Sequence, residues 1–130
     1  MLYKYTIMEN SFKQKHSFET RQAEAEKIIN KHADRVPIIV TKSSKAKSSL
    51  NDIQKNKFLV PNDLTLAQFS YIIKKRIEIQ QNDALYLFVD TNGDNILATS
   101  SATVSNLYKD YKDKDGFLYL SYCGENAFGN

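Results

Sequence analysis

The chain has 130 residues, 42% hydrophobic and 25% charged, with a net charge of +3. That length makes one domain with interior enough for a core without metals or disulfides, and so mild a charge gives no argument for nucleic-acid binding. Cys123 is the single cysteine, which excludes an intramolecular disulfide or a cysteine-based zinc cluster and fits a reducing compartment.

Residues 1–10 are mixed in character and read as an N-terminal extension without a secretory pattern. From Ser17 the pattern turns helical to about residue 32. Ser17 caps, Glu19 suits the first turn, and Ala25, Ile28, Ile29 and His32 form a narrow apolar stripe. Val36-Pro37-Ile38-Ile39-Val40 is far too short to span a bilayer and reads as a strand. Its alternation puts Val36, Ile38 and Val40 on one face and Pro37 and Ile39 on the other, so the sheet needs cover on both sides. Residues 42–57, with Lys42, Lys45, Lys47, Lys55 and Lys57 against Asp52, read as a solvated basic loop. Phe58-Leu59-Val60 is a short strand stopped by Pro61.

Thr65-Leu66-Ala67-Gln68 has the form of a capping box. Leu66, Phe69, Ile73 and Ile77 follow at helical spacing and predict the main core helix, to about Arg76. A strand over 84–89, a turn over 90–95 centred on Asn92-Gly93, and a return strand at Ile96-Leu97 come next. A helix over 103–111 and a strand over 117–122 follow, and residues 124–130 form a flexible tail. Setting the N-terminal helix aside, strand–strand–helix–strand–strand–helix–strand is the order of a β-grasp, although periodicity alone supports only an α+β class.

Two runs resemble calcium loops without being them. Asp90-x-Asn92-x-Asp94 has Asn95 where glycine is needed and Ser101 at its last position, and the run around Asp113 begins on Tyr111. Cys123 has no base evident beside it, since His16 and His32 both lie in the N-terminal helical region. No nucleophile–base pair, metal cluster or phosphate loop stands out, so neither an enzyme, a cofactor nor a metal is expected.

Phe58-Leu59-Val60-Pro61-Asn62-Asp63-Leu64-Thr65, Gln68-Phe69, Ile73-Lys74-Lys75-Arg76-Ile77, Lys112-Asp113-Lys114-Asp115-Gly116-Phe117-Leu118-Tyr119, Gly124-Glu125-Asn126 and Phe128-Gly129 form a motif set. In these motifs the sequence resembles the autophagy-related protein 8 family. Phe18 through Glu26, Arg35 and Pro37 also fit, and the likeness runs from about Ser11 to Asn130. Departures are a short extension before Ser11, about two extra residues in the lysine–serine loop and about four in the 90–98 turn, all places where length is tolerated. Phe58 stands where tyrosine is usual.

The resemblance implies a ubiquitin-like β-grasp over 11–123 with further N-terminal helices on the opposite sheet face, and a conjugation tail at 124–130. It also implies that a cysteine protease cuts after Gly129, removing Asn130. Activating and conjugating enzymes then join the Gly129 carboxylate to phosphatidylethanolamine, because a side chain at that position would obstruct each attack. Receptors carrying aromatic-x-x-aliphatic motifs are the implied partners. An aromatic pocket would use Glu24, Ile28, Pro37, Ile39, Lys57, Leu59 and Phe117. An aliphatic pocket would use Phe58, Val60, Pro61, Leu64, Phe69 and Ile72, with Arg35 and Arg76 as a charged rim. The peptide between the pockets would add a strand to the edge at 57–60, and Tyr86-Leu87-Phe88 matches a further docking strand of the family. A monomer in the cytoplasm, moving to the autophagosomal membrane on lipidation, is the expectation. A non-conjugated adaptor paralogue in trafficking or cytoskeletal binding is the alternative.

Overall fold

The computed structural model describes residues 11–124. The extension at 1–10, the tail beyond Gly124, and with it Gly129 and Asn130, lie outside the described residues. The elements are α1 (Ser11–Lys15), α2 (Phe18–Lys31), β1 (Arg35–Lys42), β2 (Lys57–Pro61), α3 (Leu66–Arg76), β3 (Leu85–Thr91), β4 (Asp94–Leu97), α4 (Val104–Tyr111) and β5 (Leu118–Gly124). The five strands form one sheet in the order β2-β1-β5-β3-β4, with β1 and β5 parallel and the other pairs antiparallel. This is the mixed sheet of a ubiquitin-like β-grasp, and β2 and β4 are its edges.

Local chemistry sets the helix starts. The Ser17 hydroxyl accepts from the Thr20 amide at 3.2 Å. Thr65 and Gln68 complete a full capping box, the side chain of each taking the other's backbone N–H. Behind that cap, Leu66, Phe69, Ile73 and Ile77 are all buried, and they pack on Val36, Ile38, Val40, Leu118 and Leu120. Val104 and Leu107 of α4 close the end of this core, with Tyr108 packed at its margin.

The opposite face carries a smaller cluster of Phe12, Ala25, Ile39, Phe117 and Tyr119, with Ile28 at its side. The predicted stripe on α2 needs one correction. Ile29 is 37% exposed, and the inner face is instead Arg21, Ala25 and Ile28. Arg21 can lie inside because the buried Asp115 carboxylate receives its Nε at 2.8 Å. His32, at the end of the stripe, is the half-buried C-cap, its N–H bonded to the Ile28 carbonyl.

Two further corrections concern loops. The 90–95 segment is not all turn: β3 runs to Thr91, β4 starts at Asp94, and Asn92-Gly93 alone connect them. Gly93 has φ +83°, a conformation glycine adopts without steric cost. The lysine loop also has an inner side. Leu50 and Ile53 pack on the main core, the Lys42 ammonium bonds the Leu50 carbonyl at 2.9 Å, and Asn51 Nδ2 donates to the Ile77 carbonyl at 2.7 Å.

Candidate functional site

The β2 edge is where the sequence places its binding residues, and strand register determines what that edge offers. Val36 pairs with Val60 and Ile38 with Phe58, while the amides of Val40 and Asn62 reach Asn56 and Asp34 carbonyls at 2.8 and 3.0 Å. Alternation along an antiparallel pair therefore turns the backbone groups of Lys57 and Leu59 away from β1, toward the outside of the sheet. Pro37, opposite Leu59, occupies a position where β2 asks β1 for no N–H. The Arg35 guanidinium already donates to the outward Leu59 carbonyl at 3.2 Å. An extended peptide placed here meets a row of directed backbone groups, one of them held by a cation.

The same alternation splits the side chains. Lys57 and Leu59 point to the α2 side, with Pro37 and Ile39, while Phe58 and Val60 point into the main core. On the α2 side, Ile39 and Phe117 are 0% exposed and Pro37 is buried, so these three form a floor rather than a lining. Leu59, at 37% exposure, and the half-buried Ile28 stand at the rim. Lys57 and Glu24 form an ion pair that ties β2 to α2 across this rim, and the Lys57 ammonium lies 5.9 Å from the Phe12 ring centre. The predicted aromatic-pocket residues are thus brought together, in a closed arrangement spanned by their two charged members.

The predicted aliphatic set divides differently. Phe69 at 0%, Val60 at 3% and Phe58 at 7% exposure belong to the main core, with the Phe58 ring edge-on to Phe69 at 5.2 Å. Pro61, Leu64 and Ile72 supply the accessible apolar surface. The Arg76 guanidinium sits 4.9 Å from the Phe58 ring centre and covers what that ring would otherwise show. Arg35 and Arg76 are both exposed.

Sequence reasoning missed the group that holds the floor in place. Asp115 accepts from Arg21 Nε at 2.8 Å, the Tyr119 hydroxyl at 2.5 Å and the Phe117 amide at 2.9 Å. Arg21 Nη1 in turn bonds the Lys13 and His16 carbonyls at 3.2 and 2.6 Å, so one guanidinium joins α1, α2 and the loop before β5. Burial, with the carboxylate beside it, drives the Tyr119 phenol far above its usual range. Gly116 has φ +97°, and a Cβ there would lie 2.8 Å from the Ala25 Cβ, so glycine permits the close approach of this loop to α2. A usable signal existed: Arg21 lies four residues before Ala25, on the helix face that packs.

Cys123 is buried, and that burial pushes its thiol above the usual range, the reverse of what activates a nucleophile. No group of three or more metal-ligating side chains occurs among the described residues, and no helix there is long and apolar enough to cross a membrane.

The family described as "Autophagy protein Atg8 ubiquitin like" matches residues 20–129. The chain is 48% identical over 123 residues to autophagy-related protein 8 of Coccidioides immitis, covering 95% of this chain and 100% of that one. It is 47% identical to autophagy-related protein 8 of Aspergillus niger, covering 95% of this chain and 99% of the relative. The crystal structure of Trypanosoma brucei ATG8 superposes with a TM-score of 0.82 at 40% identity, covering 93% of this chain and 99% of that chain.

Proposed function

The chain belongs to the Atg8 family of ubiquitin-like autophagy proteins, and from that premise we propose that it is a lipid-conjugated modifier cut after Gly129. The observation that carries this reading is the family match itself, which runs through the tail and ends on Gly129. In the proposed sequence a protease hydrolyses the Gly129–Asn130 bond and frees the Gly129 carboxylate. A nucleoside triphosphate activates that carboxylate as an adenylate with loss of pyrophosphate. An enzyme thiolate displaces AMP to form a thioester. A second enzyme thiolate takes the acyl group and frees the first, and the amine of phosphatidylethanolamine displaces that second thiolate to leave an amide. None of these steps asks a catalytic group of this chain, in keeping with a modifier rather than an enzyme. The lipid's two acyl chains then hold the protein on the autophagosomal membrane.

Recruitment is the second half of the proposal. The outward backbone of Lys57 and Leu59 takes the main chain of a receptor motif. The motif's aromatic residue enters over Pro37, Ile39 and Phe117 once the Lys57–Glu24 pair parts, and its aliphatic residue rests on Pro61, Leu64 and Ile72. Acidic residues flanking the motif meet Arg35, Arg76 and Lys57.

Intact mass and gel mobility of the protein from starved host cells test the reading, wild type against Gly129→Ala. Loss of Asn130 with gain of a phosphatidylethanolamine mass, both absent from the variant, is the expected result. A full-length, unmodified wild type under every condition replaces the proposal with a non-conjugated adaptor using the same edge.

A further inference from the structure

The parallel pairing of β1 with β5 brings their C-terminal ends together: Lys42 lies beside Tyr122, and the Ser43 amide bonds the Tyr122 carbonyl at 2.8 Å. The lysine loop therefore leaves the sheet at the same end as the chain that leads to Gly129. Its charge reaches that point, since Lys45 acts on the Cys123 thiol next to Gly124.

The loop's charges are unevenly used. Lys42 faces Asp52 at 3.4 Å and Lys57 is held by Glu24. Lys45, Lys47 and Lys55 are exposed and make no ion pair among the described residues. The apolar members Leu50 and Ile53 turn inward to the core, so the outer side is lysine and small polar residues. A protein-binding hot spot is built from aromatic and arginine anchors, and this loop has neither. Unpaired lysines on flexible stems suit a fluid surface that is uniformly negative.

We propose that the 42–57 loop is a second membrane contact, in which Lys45, Lys47 and Lys55 engage the anionic headgroups of the leaflet that holds the Gly129 anchor. The inference rests on the conjugation reading for its geometry. Five residues separate Gly124 from the anchored carboxylate, a fully extended reach of roughly 18 Å. A tether of that length lets the loop end of the body lie within one Debye length of the headgroups, about 8 Å at physiological salt, where the lysine charges are little screened. The contact sets the orientation of the anchored body, with the sheet end bearing the loop turned to the lipid.

The full chain with a hexahistidine extension after Asn130, recruited to vesicles containing a nickel-chelating lipid, tests the contact without any conjugation enzyme. Failure of the contact and failure of conjugation are thereby read separately. Vesicles of phosphatidylcholine are compared with vesicles of four parts phosphatidylcholine to one part phosphatidylserine. Lys45→Gln/Lys47→Gln/Lys55→Gln is expected to weaken binding to the phosphatidylserine vesicles by up to about a hundredfold, roughly fivefold per lysine. It should leave phosphatidylcholine binding unchanged, the difference should vanish in high salt, and arginine at all three positions should restore it. Equal binding of wild type and glutamine variant to phosphatidylserine vesicles overturns the proposal. If that equality comes with slower conjugation of the variant, the loop belongs to an acidic protein surface instead.

Discussion

On one side of the sheet, α3 lays Leu66, Phe69, Ile73 and Ile77 against β1, β5 and β3 in a continuous cluster made only of apolar and tyrosine side chains. On the other, α1 and α2 bring Phe12, Ala25 and Ile28 to a much smaller patch, and a buried charge cluster completes the attachment. Apolar contact rewards area and is indifferent to direction, so the α3 side gains stability from many interchangeable contacts. A guanidinium shared by one carboxylate and two carbonyls is satisfied in a single arrangement. The helical layer of the proposed receptor site is thus held by direction, while the rest of the molecule is held by area.

The most severe way to break that contrast is to hollow the apolar side. Phe69→Ala removes a fully buried ring and is expected to cost about 3–5 kcal/mol in a urea titration. Asp115→Asn keeps the shape of the polar side but removes the charge and sets an amide NH2 against a donor, either Arg21 and Tyr119 at one oxygen's place or the Phe117 amide at the other's. It is expected to cost about 3 kcal/mol, and Arg21→Met in the same background should then cost little more. A loss below about 0.5 kcal/mol, typical of an exposed site, would show that the charge cluster does not hold the layer.

Asp113 gives a smaller effect with a definite pH sign. Burial pushes its carboxyl up, but the Lys13 ammonium at 2.7 Å and the Asp115 amide outweigh that and hold it below the ordinary value of 3.8. A carboxylate lowered by folding adds stability that is complete above its unfolded value and lost as pH falls through the folded one. Asp113→Asn should therefore cost about 1 kcal/mol at neutral pH, and its difference from wild type should shrink as pH drops below 3.8. Asp90 works in the opposite sense, since burial raises it, so the variant must be read as a difference from wild type.

The smallest effect is a gain. At the end of α3, Glu78 has φ +62°, and the amides of Glu78 and Ile79 bond the Lys75 and Lys74 carbonyls in a Schellman closure. Glu78→Gly should relieve the left-handed strain and stabilise by up to about 1 kcal/mol, measured as a raised thermal midpoint. No change would mean that the added freedom of glycine in the unfolded chain cancels the relief.

The same contrast explains what the sequence revealed. The stripe on α3 and the alternation along β1 are periodic signals: the first predicts Leu66, Phe69, Ile73 and Ile77 as main core, where they lie, and the second puts Val36, Ile38 and Val40 on one shared face, the face that packs there. Periodicity sorts residues by face but not by depth. Alternation along β1 separates Pro37 and Ile39 from Val36, Ile38 and Val40, yet it leaves open that Ile39 is sealed from solvent, just as helical spacing leaves open the depth of Phe69. The polar attachment was hidden for another reason. Arg21 and Asp115 lie 94 positions apart, and a buried charge is legible only when its partner is known. Phe12 was missed because the short α1 offers too few residues for a period to be seen.

The central place of β5 has a consequence for how the protein is made. A ribosome delivers β1 with β2 and then β3 with β4, each pair able to close locally as a hairpin. The strand that joins the pairs comes last, between β1 and β3. Until it emerges, the apolar layer lacks Leu118, Leu120 and Tyr122 and the polar layer lacks Phe117 and Tyr119. Two bare inner edges then stand open to mispairing. A chain arrested before Leu118 is therefore a client for chaperones and proteases, not a shorter version of the same protein.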